Sequence, residues 1–247
     1  MKNYLLRIEY IGSAFFGFQK QLGLDTVEDT LEEALVTIIR KPIKTFGSAR
    51  TDRGVNALNQ YVNFYFDGDL NTLYLMRKLN SILFKIGIIV KEIQEVDIAF
   101  HARKSAKGKI YSYIVSENRE ESLFLRPYVY VYNEPADFKL MQLALDGLKG
   151  KHDFTSFANI DRTQKKRNNI CEIFDAGAIQ KAPFTIFYFY GDRFLYHMVR
   201  RMVYYVLKGA QGHIPEEKLR NPFAFEDLPF TRQVLPPEPL FLLDVVY

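Results

Sequence analysis

Tyr4-Leu5-Leu6-Arg7-Ile8-Glu9-Tyr10 opens the chain with Tyr4, Leu6, Ile8 and Tyr10 alternating against Leu5, Arg7 and Glu9. Alternation of period two puts one set on one face of a strand and the other on the opposite face, and Gly12-Ser13 ends it. Downstream, Thr26 with Asp29 three residues later has the spacing of a helix N-cap. Val27, Leu31, Ala34, Leu35, Ile38 and Ile39 then recur at helical spacing until Pro42. Ile43 to Gly47 and Gln60 to Phe66 read as strands, the second with Val62, Phe64 and Phe66 on one face. Leu73, Met76 and Leu79 predict a second helix, and Ile88 to Val96 a fourth strand. The resulting order is βαββαβ.

The second half repeats that order. Strands are expected over Lys109 to Val115, Ile170 to Ile179, Phe184 to Tyr190 and Leu240 to Tyr247. Helices are expected over Pro135 to Leu148, ended by Gly150, and Tyr196 to Leu207, ended by Gly209. Leu123 to Tyr132 reads as an additional extended segment, and Phe230 to Pro239 as an irregular connection pinned by prolines. The expected fold is α+β: two ferredoxin-like (βαββαβ) halves, residues 1–103 and 104–247, with abutting antiparallel sheets, helices packed on one side and a central cleft.

Composition narrows the function. With 48% hydrophobic and 25% charged residues in 247, the chain is neither a disordered nor a fibrous one. Its apolar runs are short or broken by Arg200, Arg201 and Lys208, well below the ~18 residues of a membrane span. Arg7 and Glu9 interrupt any signal-peptide core, so a cytoplasmic protein is expected. The single cysteine, Cys171, excludes an intrachain disulfide and a cysteine zinc cluster. A net charge of +4 permits a polyanionic partner without requiring one. The four histidines lack metal-binding spacing, and the chain has no GxGxxG, GxxxxGK[ST] or G-x-S-x-G motif. An enzyme built on this sequence is expected to use no cofactor and no metal.

Four stretches carry possible chemistry. Arg50-Thr51-Asp52-Arg53-Gly54 sets one carboxylate between two guanidinium groups in a loop between strands. Asp52 there is either a turn residue binding backbone N–H groups or an ionised side chain poised as nucleophile or base. Phe100-His101-Ala102-Arg103, with Lys107, Lys109, Tyr111 and Tyr113, interleaves cations with aromatics, as a phosphate-gripping, base-stacking surface or an amphipathic edge strand would. Lys165-Lys166-Arg167 is the densest basic cluster, read as a phosphate loop or a solvated turn. In Tyr196 to Met202, Arg200 and Arg201 are about 100 degrees apart on a helix and face different ways.

In this order the stretches are recognisable. Tyr10-Ile11-Gly12-Ser13 to Gly17-Phe18-Gln19, Arg50-Thr51-Asp52-Arg53-Gly54-Val55-Asn56-Ala57 with Gln60, and Phe100-His101-Ala102-Arg103 with Tyr111-Ser112-Tyr113 come first. His152-Asp153-Phe154-Thr155-Ser156-Phe157 and Phe194 to Arg200 follow. Together they closely resemble the TruA family of tRNA pseudouridine synthases. The chain departs from the usual pattern with Ala49 for Gly, Asn56 for His, Phe18 for Trp and Pro239 for Gly. The resemblance implies isomerisation of uridine to pseudouridine at positions 38, 39 and 40 of the tRNA anticodon stem-loop, by a homodimer without cofactor.

It further implies that Asp52 is the catalytic carboxylate, Tyr111 the ring stacked on the target base, and Arg200 the cation paired with Asp52. A carboxylate there can add to the sugar, add to the base or remove a ribose proton, and the residues leave the three routes open. Gln19, Arg50, Arg53, Arg103, Lys107, Lys109, Lys165, Lys166 and Arg167 are the expected substrate contacts, with Arg201 a further phosphate candidate. A base within a stem must be flipped out to react. The competing function is a non-catalytic tRNA-binding or folding factor, or a paralogue acting on another RNA.

Overall fold

The computed structural model describes residues 1–117, 123–159, 168–225 and 228–247. The chain divides into two compact units, Met1–Lys107 with Phe241–Tyr247, and Gly108–Leu240.

In the first unit, the alternating N-terminal segment forms β1 (Lys2–Tyr10), with Tyr4, Leu6, Ile8 and Tyr10 all buried. It lies antiparallel between β3 (Asn56–Phe66) and β4 (Ile88–Val96), so that Leu6 faces Val62 on one side and Ile93 on the other. β2 (Thr45–Gly47) pairs with β3, giving the order β4-β1-β3-β2. Helix α1 (Val27–Ile39) starts where its spacing predicts: the Thr26 hydroxyl accepts the Asp29 amide at 3.4 Å, a cap worth about 1 kcal/mol. Helix α2 (Thr72–Leu83) buries Leu75, Leu79 and Leu83, while Leu73 is 52% exposed. Asn71 caps this helix, and its i, i+4, i+8 leucines form the inward stripe in place of the expected Leu73 and Met76. The two helices pack on each other, and α2 packs on β4.

In the second unit, β5 (Gly108–Ser116) and β8 (Ile170–Lys181) flank β9 (Phe184–Gly191), all antiparallel. β6 (Tyr130–Val131) joins β5 in parallel, and β7 (Gly150–Asp153) joins β8. The described part of the segment expected to be extended from Leu123 is a turn, one 3-10 turn at Arg126–Tyr128, and only then β6. Helix α3 (Phe138–Gly147) packs on α4 (Met198–Ala210), on the short α5 (Glu216–Arg220) and on β8. Gly209 does not end α4. It lies inside the helix because a Cβ there would stand 2.5 Å from Leu219 of α5. Gly147 makes the same accommodation, since its Cβ would meet the Leu219 carbonyl oxygen at 2.1 Å.

The last strand, β10 (Leu240–Val246), was expected to complete the second half. It runs parallel to β3 through Phe241 opposite Asn56 and Leu242 opposite Ala57, within the first unit. The Asn59 side-chain amide donates to the Leu243 carbonyl, the Lys107 amide to that of Val246, and the Tyr247 hydroxyl to that of Ala102. A strand's hydrophobic pattern selects its inward face and leaves open which edge it joins. Each unit is thus α+β with a mostly antiparallel sheet. No described helix is long and apolar enough to cross a membrane.

Candidate active site

Residues 48–55 connect β2 to β3 and carry Asp52, and buried polar groups fasten this loop along its length. Gln60 of β3 is fully buried. Its amide oxygen accepts from the Ser48 hydroxyl at 2.5 Å and the Ala49 N–H at 3.1 Å, and its amide nitrogen donates to the Ala49 carbonyl at 2.7 Å. Next along the loop, Thr51 exchanges a 2.6 Å hydrogen bond with the Tyr10 hydroxyl, and burial drives that phenol's pKa far up. The Thr51 carbonyl accepts the Phe18 amide at 3.0 Å. Beyond Asp52, the Val55 amide returns to the Asp52 carbonyl at 3.1 Å, closing a turn that requires a positive φ of 84° at Gly54. The Asp52 side chain is half-buried.

Two more glycines permit this packing. A Cβ on Gly12 would stand 2.2 Å from the Val55 carbonyl oxygen, and one on Gly17 would stand 3.0 Å from that of Thr51. The Asn56 side chain accepts the Gly12 amide at 2.8 Å, so this departure from the family pattern holds the adjoining turn in place. Phe18, another departure, is 2% exposed and lays its ring directly on Gly47. Ala49 donates its N–H to Gln60 and accepts from it at its carbonyl, two of the three Gln60 hydrogen bonds described above.

Among the expected substrate contacts of the first unit, Gln19, Arg50, Arg53, Arg103 and Lys107 are all exposed. Arg53 places its guanidinium carbon 4.2 Å from the centre of the Phe16 ring. Arg103 has its pKa lowered by desolvation and then by the charge of Arg50, which places the two cations within electrostatic reach. Two like charges within reach of each other make the potential around Arg103 more positive. Its loop is ordered from within the unit: Asn3 donates to the carbonyls of Asp97 and Phe100, and Asn63 accepts the Ala102 amide at 2.9 Å. His101 accepts the Arg103 amide at Nδ1. Desolvation, then Lys104 and Arg103, lower its pKa. Glu28 also lies near Arg50; burial raises its carboxyl pKa against the opposing pull of the Lys20 amide and Arg50.

The second unit holds Lys109, Tyr111 and Arg200. Tyr111 lies on β5 opposite Phe189, 7% exposed, with its ring edge-on to Phe194 at 5.1 Å. Phe194 thereby sets the plane of the Tyr111 ring. Arg200, half-buried on α4, donates from Nε to the Leu235 carbonyl at 2.5 Å, which aims the rest of the guanidinium. Arg201 is no phosphate ligand: it is 8% exposed, and its Nη1 donates to the Ala158 carbonyl at 2.7 Å, tying α4 to the segment after β7. His197, at φ 65°, starts α4. Burial, then Arg200 and Arg201, bring its pKa down to about 4. Lys165, Lys166 and Arg167 lie outside the described residues. Among the described residues, no three His, Cys, Asp or Glu side chains cluster as metal ligands.

Gln60, Tyr10, Gly12, Gly17 and Phe194 support the loop and the ring without having been assigned roles from sequence. Each nonetheless stands within one of the recognised stretches.

The profile of a family described as tRNA pseudouridine synthase matches residues 144–247. Over the full length of both chains, 247 residues are 34% identical to tRNA pseudouridine synthase A of Caldicellulosiruptor bescii. The enzyme of the same name from a Geobacillus species is 36% identical over 97% of this chain and 96% of its own. That of Dictyoglomus thermophilum is 38% identical over 82% of each. A chain of a solved Cbf5-Nop10-Gar1 complex aligns with 80% of this chain and 46% of its own at 11% identity and a TM-score of 0.38, too distant to fix a fold. The full-length identities are decisive: the chain belongs to the tRNA pseudouridine synthase A family and is an isomerase of that class.

Proposed function

We propose that the protein converts uridine to pseudouridine at positions 38, 39 and 40 of the tRNA anticodon stem-loop, acting as a cytoplasmic homodimer on a flipped-out target base. The observation that carries this reading is the Asp52 loop: a half-buried carboxylate on a backbone fastened by Gln60, Tyr10 and Phe18. A reacting group gains from being held before its substrate arrives, because the entropy of positioning is already spent. The reaction breaks the N1–C1′ bond of uridine, turns the base, forms C5–C1′, and moves the C5 proton so that N1 ends protonated. The C5 hydrogen is lost to solvent as a proton while N1 takes one up, so the net composition is unchanged and neither oxidant nor group donor is needed.

In this reading Asp52 acts on the sugar or the base, Tyr111 confines the freed base to rotation in its plane, and Arg200 supplies the cation that keeps the carboxylate ionised. Arg50 and Arg103, with Lys107, Lys109 and the basic segment Lys165 to Arg167, take phosphates. Gln19 borders the same loop through Phe18. We also read both units as ferredoxin-like, supported in the first by the order β4-β1-β3-β2.

Tritium release from an unmodified tRNA transcript carrying 5-tritiated uridine tests the function. Release by the wild type, none by Asp52→Asn, and equal tRNA binding by both is the expected result. An Asp52→Asn enzyme with near-normal release would remove the carboxylate from the mechanism.

A further inference from the structure

Phe16 has no place in the chemistry above, yet the fold keeps this large apolar ring 37% exposed beside the reactive loop. Its backbone is fixed at both ends: the Phe16 amide donates to the Asp25 carbonyl at 2.8 Å, and the Phe16 carbonyl accepts from Gln21 Nε2 at 3.1 Å. The chain then turns at Gly17, with φ 92°, directly against the backbone of Thr51 to Arg53. The guanidinium of Arg53 lies over the Phe16 ring at 4.2 Å, and Arg53 itself is exposed. Arg53 is thus partnered by an aromatic ring.

We propose that Phe16 and Arg53 form a stacking platform for an RNA base next to the target uridine, with the outer edge of Arg53 donating to the adjoining phosphate. The inference rests on the proposed activity, since it needs a nucleotide held at Asp52. Arg53 follows Asp52 directly, and one residue advances the chain by about 3.8 Å. The ring and guanidinium thus stand one residue from the reactive carboxylate, on a turn packed against its backbone, where a nucleotide flanking the flipped-out target meets them. A planar guanidinium on a ring presents a second flat face, cationic and with N–H donors at its rim. Stacking of this kind accepts any base. It therefore suits an enzyme that must hold the target at adjacent positions whose neighbours differ.

The test uses the full-length enzyme and anticodon stem-loops carrying fluorescent 2-aminopurine at one flanking nucleotide at a time. With wild type, one flanking position is expected to change its fluorescence on binding, and Phe16→Leu and Arg53→Gln to abolish that change. Both variants should raise KM about 5- to 100-fold with kcat little altered, the range that loss of one stacked base implies. The double variant should be little worse than the more affected single one, because the two side chains act as a unit. Phe16→Tyr, which keeps a ring, should restore the signal. A merely structural role would lower thermal stability without moving the reporter. Wild-type reporter signals and KM in both Phe16→Leu and Arg53→Gln, while the wild type forms pseudouridine, would overturn the platform alone. A wild type that forms no pseudouridine would reject the activity itself, and the platform with it.

Discussion

The loop that carries Asp52 is held by buried neighbours, and Gln60 is the clearest of them. Its amide is fully buried and pairs with Ser48 and with both backbone groups of Ala49, so Gln60→Leu would remove the partner of the Ala49 N–H and carbonyl, while the Ser48 hydroxyl keeps the Tyr61 amide. Each buried group left unmatched costs about 1–3 kcal/mol. Gln60→Leu should therefore lower the urea midpoint and reduce kcat more than it raises KM for tRNA, as paired denaturation and turnover curves would show. A second residue-scale effect concerns pH. His197 has a pKa of about 4 in the folded protein, lowered by burial and by the charges of Arg200 and Arg201, against an ordinary value of 6.5. The unfolded chain therefore takes up this proton first as pH falls. The stabilising contribution is complete above about 6.5 and is lost progressively down to about 4. Asn tolerates the left-handed backbone that His197 adopts, so His197→Asn is the fitting comparison. Between pH 7 and 4.5, the wild type should lose more of its melting temperature than the variant does.

At the scale of elements, the meeting of α3, α4 and α5 turns on two glycines inside helices. Replacing a helical Gly by Ala ordinarily gains up to ~1 kcal/mol. At Gly209 the added methyl meets the flexible end of the Leu219 side chain at 2.5 Å, while at Gly147 it meets the Leu219 carbonyl at 2.1 Å. Overpacking of this sort costs roughly 1–3 kcal/mol, more when backbone must move. Gly147→Ala should thus destabilise the protein clearly and Gly209→Ala only slightly. Leu219→Ala added to each should relieve the strain of Gly209→Ala but not of Gly147→Ala, a contrast that six chemical denaturation curves would show, those of the wild type and of Leu219→Ala alone included. The helix expected to stop at Gly209 illustrates how the residue misleads: glycine there serves close approach, and only the neighbouring element reveals it. Thr26, by contrast, marks the start of α1 correctly because a cap is a local device, satisfied within three residues.

On the scale of the whole molecule, a net charge of +4 is modest, and in the proposed function the phosphate contacts, Arg50 and Arg103 among them, carry the affinity for tRNA. Binding of tRNA should weaken steeply between 50 and 200 mM salt. Arg103→Gln should make the slope of log K against log salt shallower by about one, whereas Gln60→Leu should leave it unchanged; titrations at four ionic strengths would distinguish them. Reading the residues alone was enough to determine β1, α1, β4, the α+β class and the short stretches that identify the family. Those features rest on contacts local in sequence: alternation along one strand, one turn of capping, or a motif of a few residues. Tertiary structure alone decided that β10 pairs with β3 in the first unit, that α2 turns Leu75 rather than Leu73 inward, and that Arg201 is buried while Arg200 is aimed by Leu235. It alone joined Gln60, Tyr10 and Gly17 to the Asp52 loop. The physical reason is common to all of these. Each depends on a hydrogen bond or a close approach between residues that are not near neighbours in the chain, and periodicity along the chain carries no record of which partner will satisfy a buried polar group.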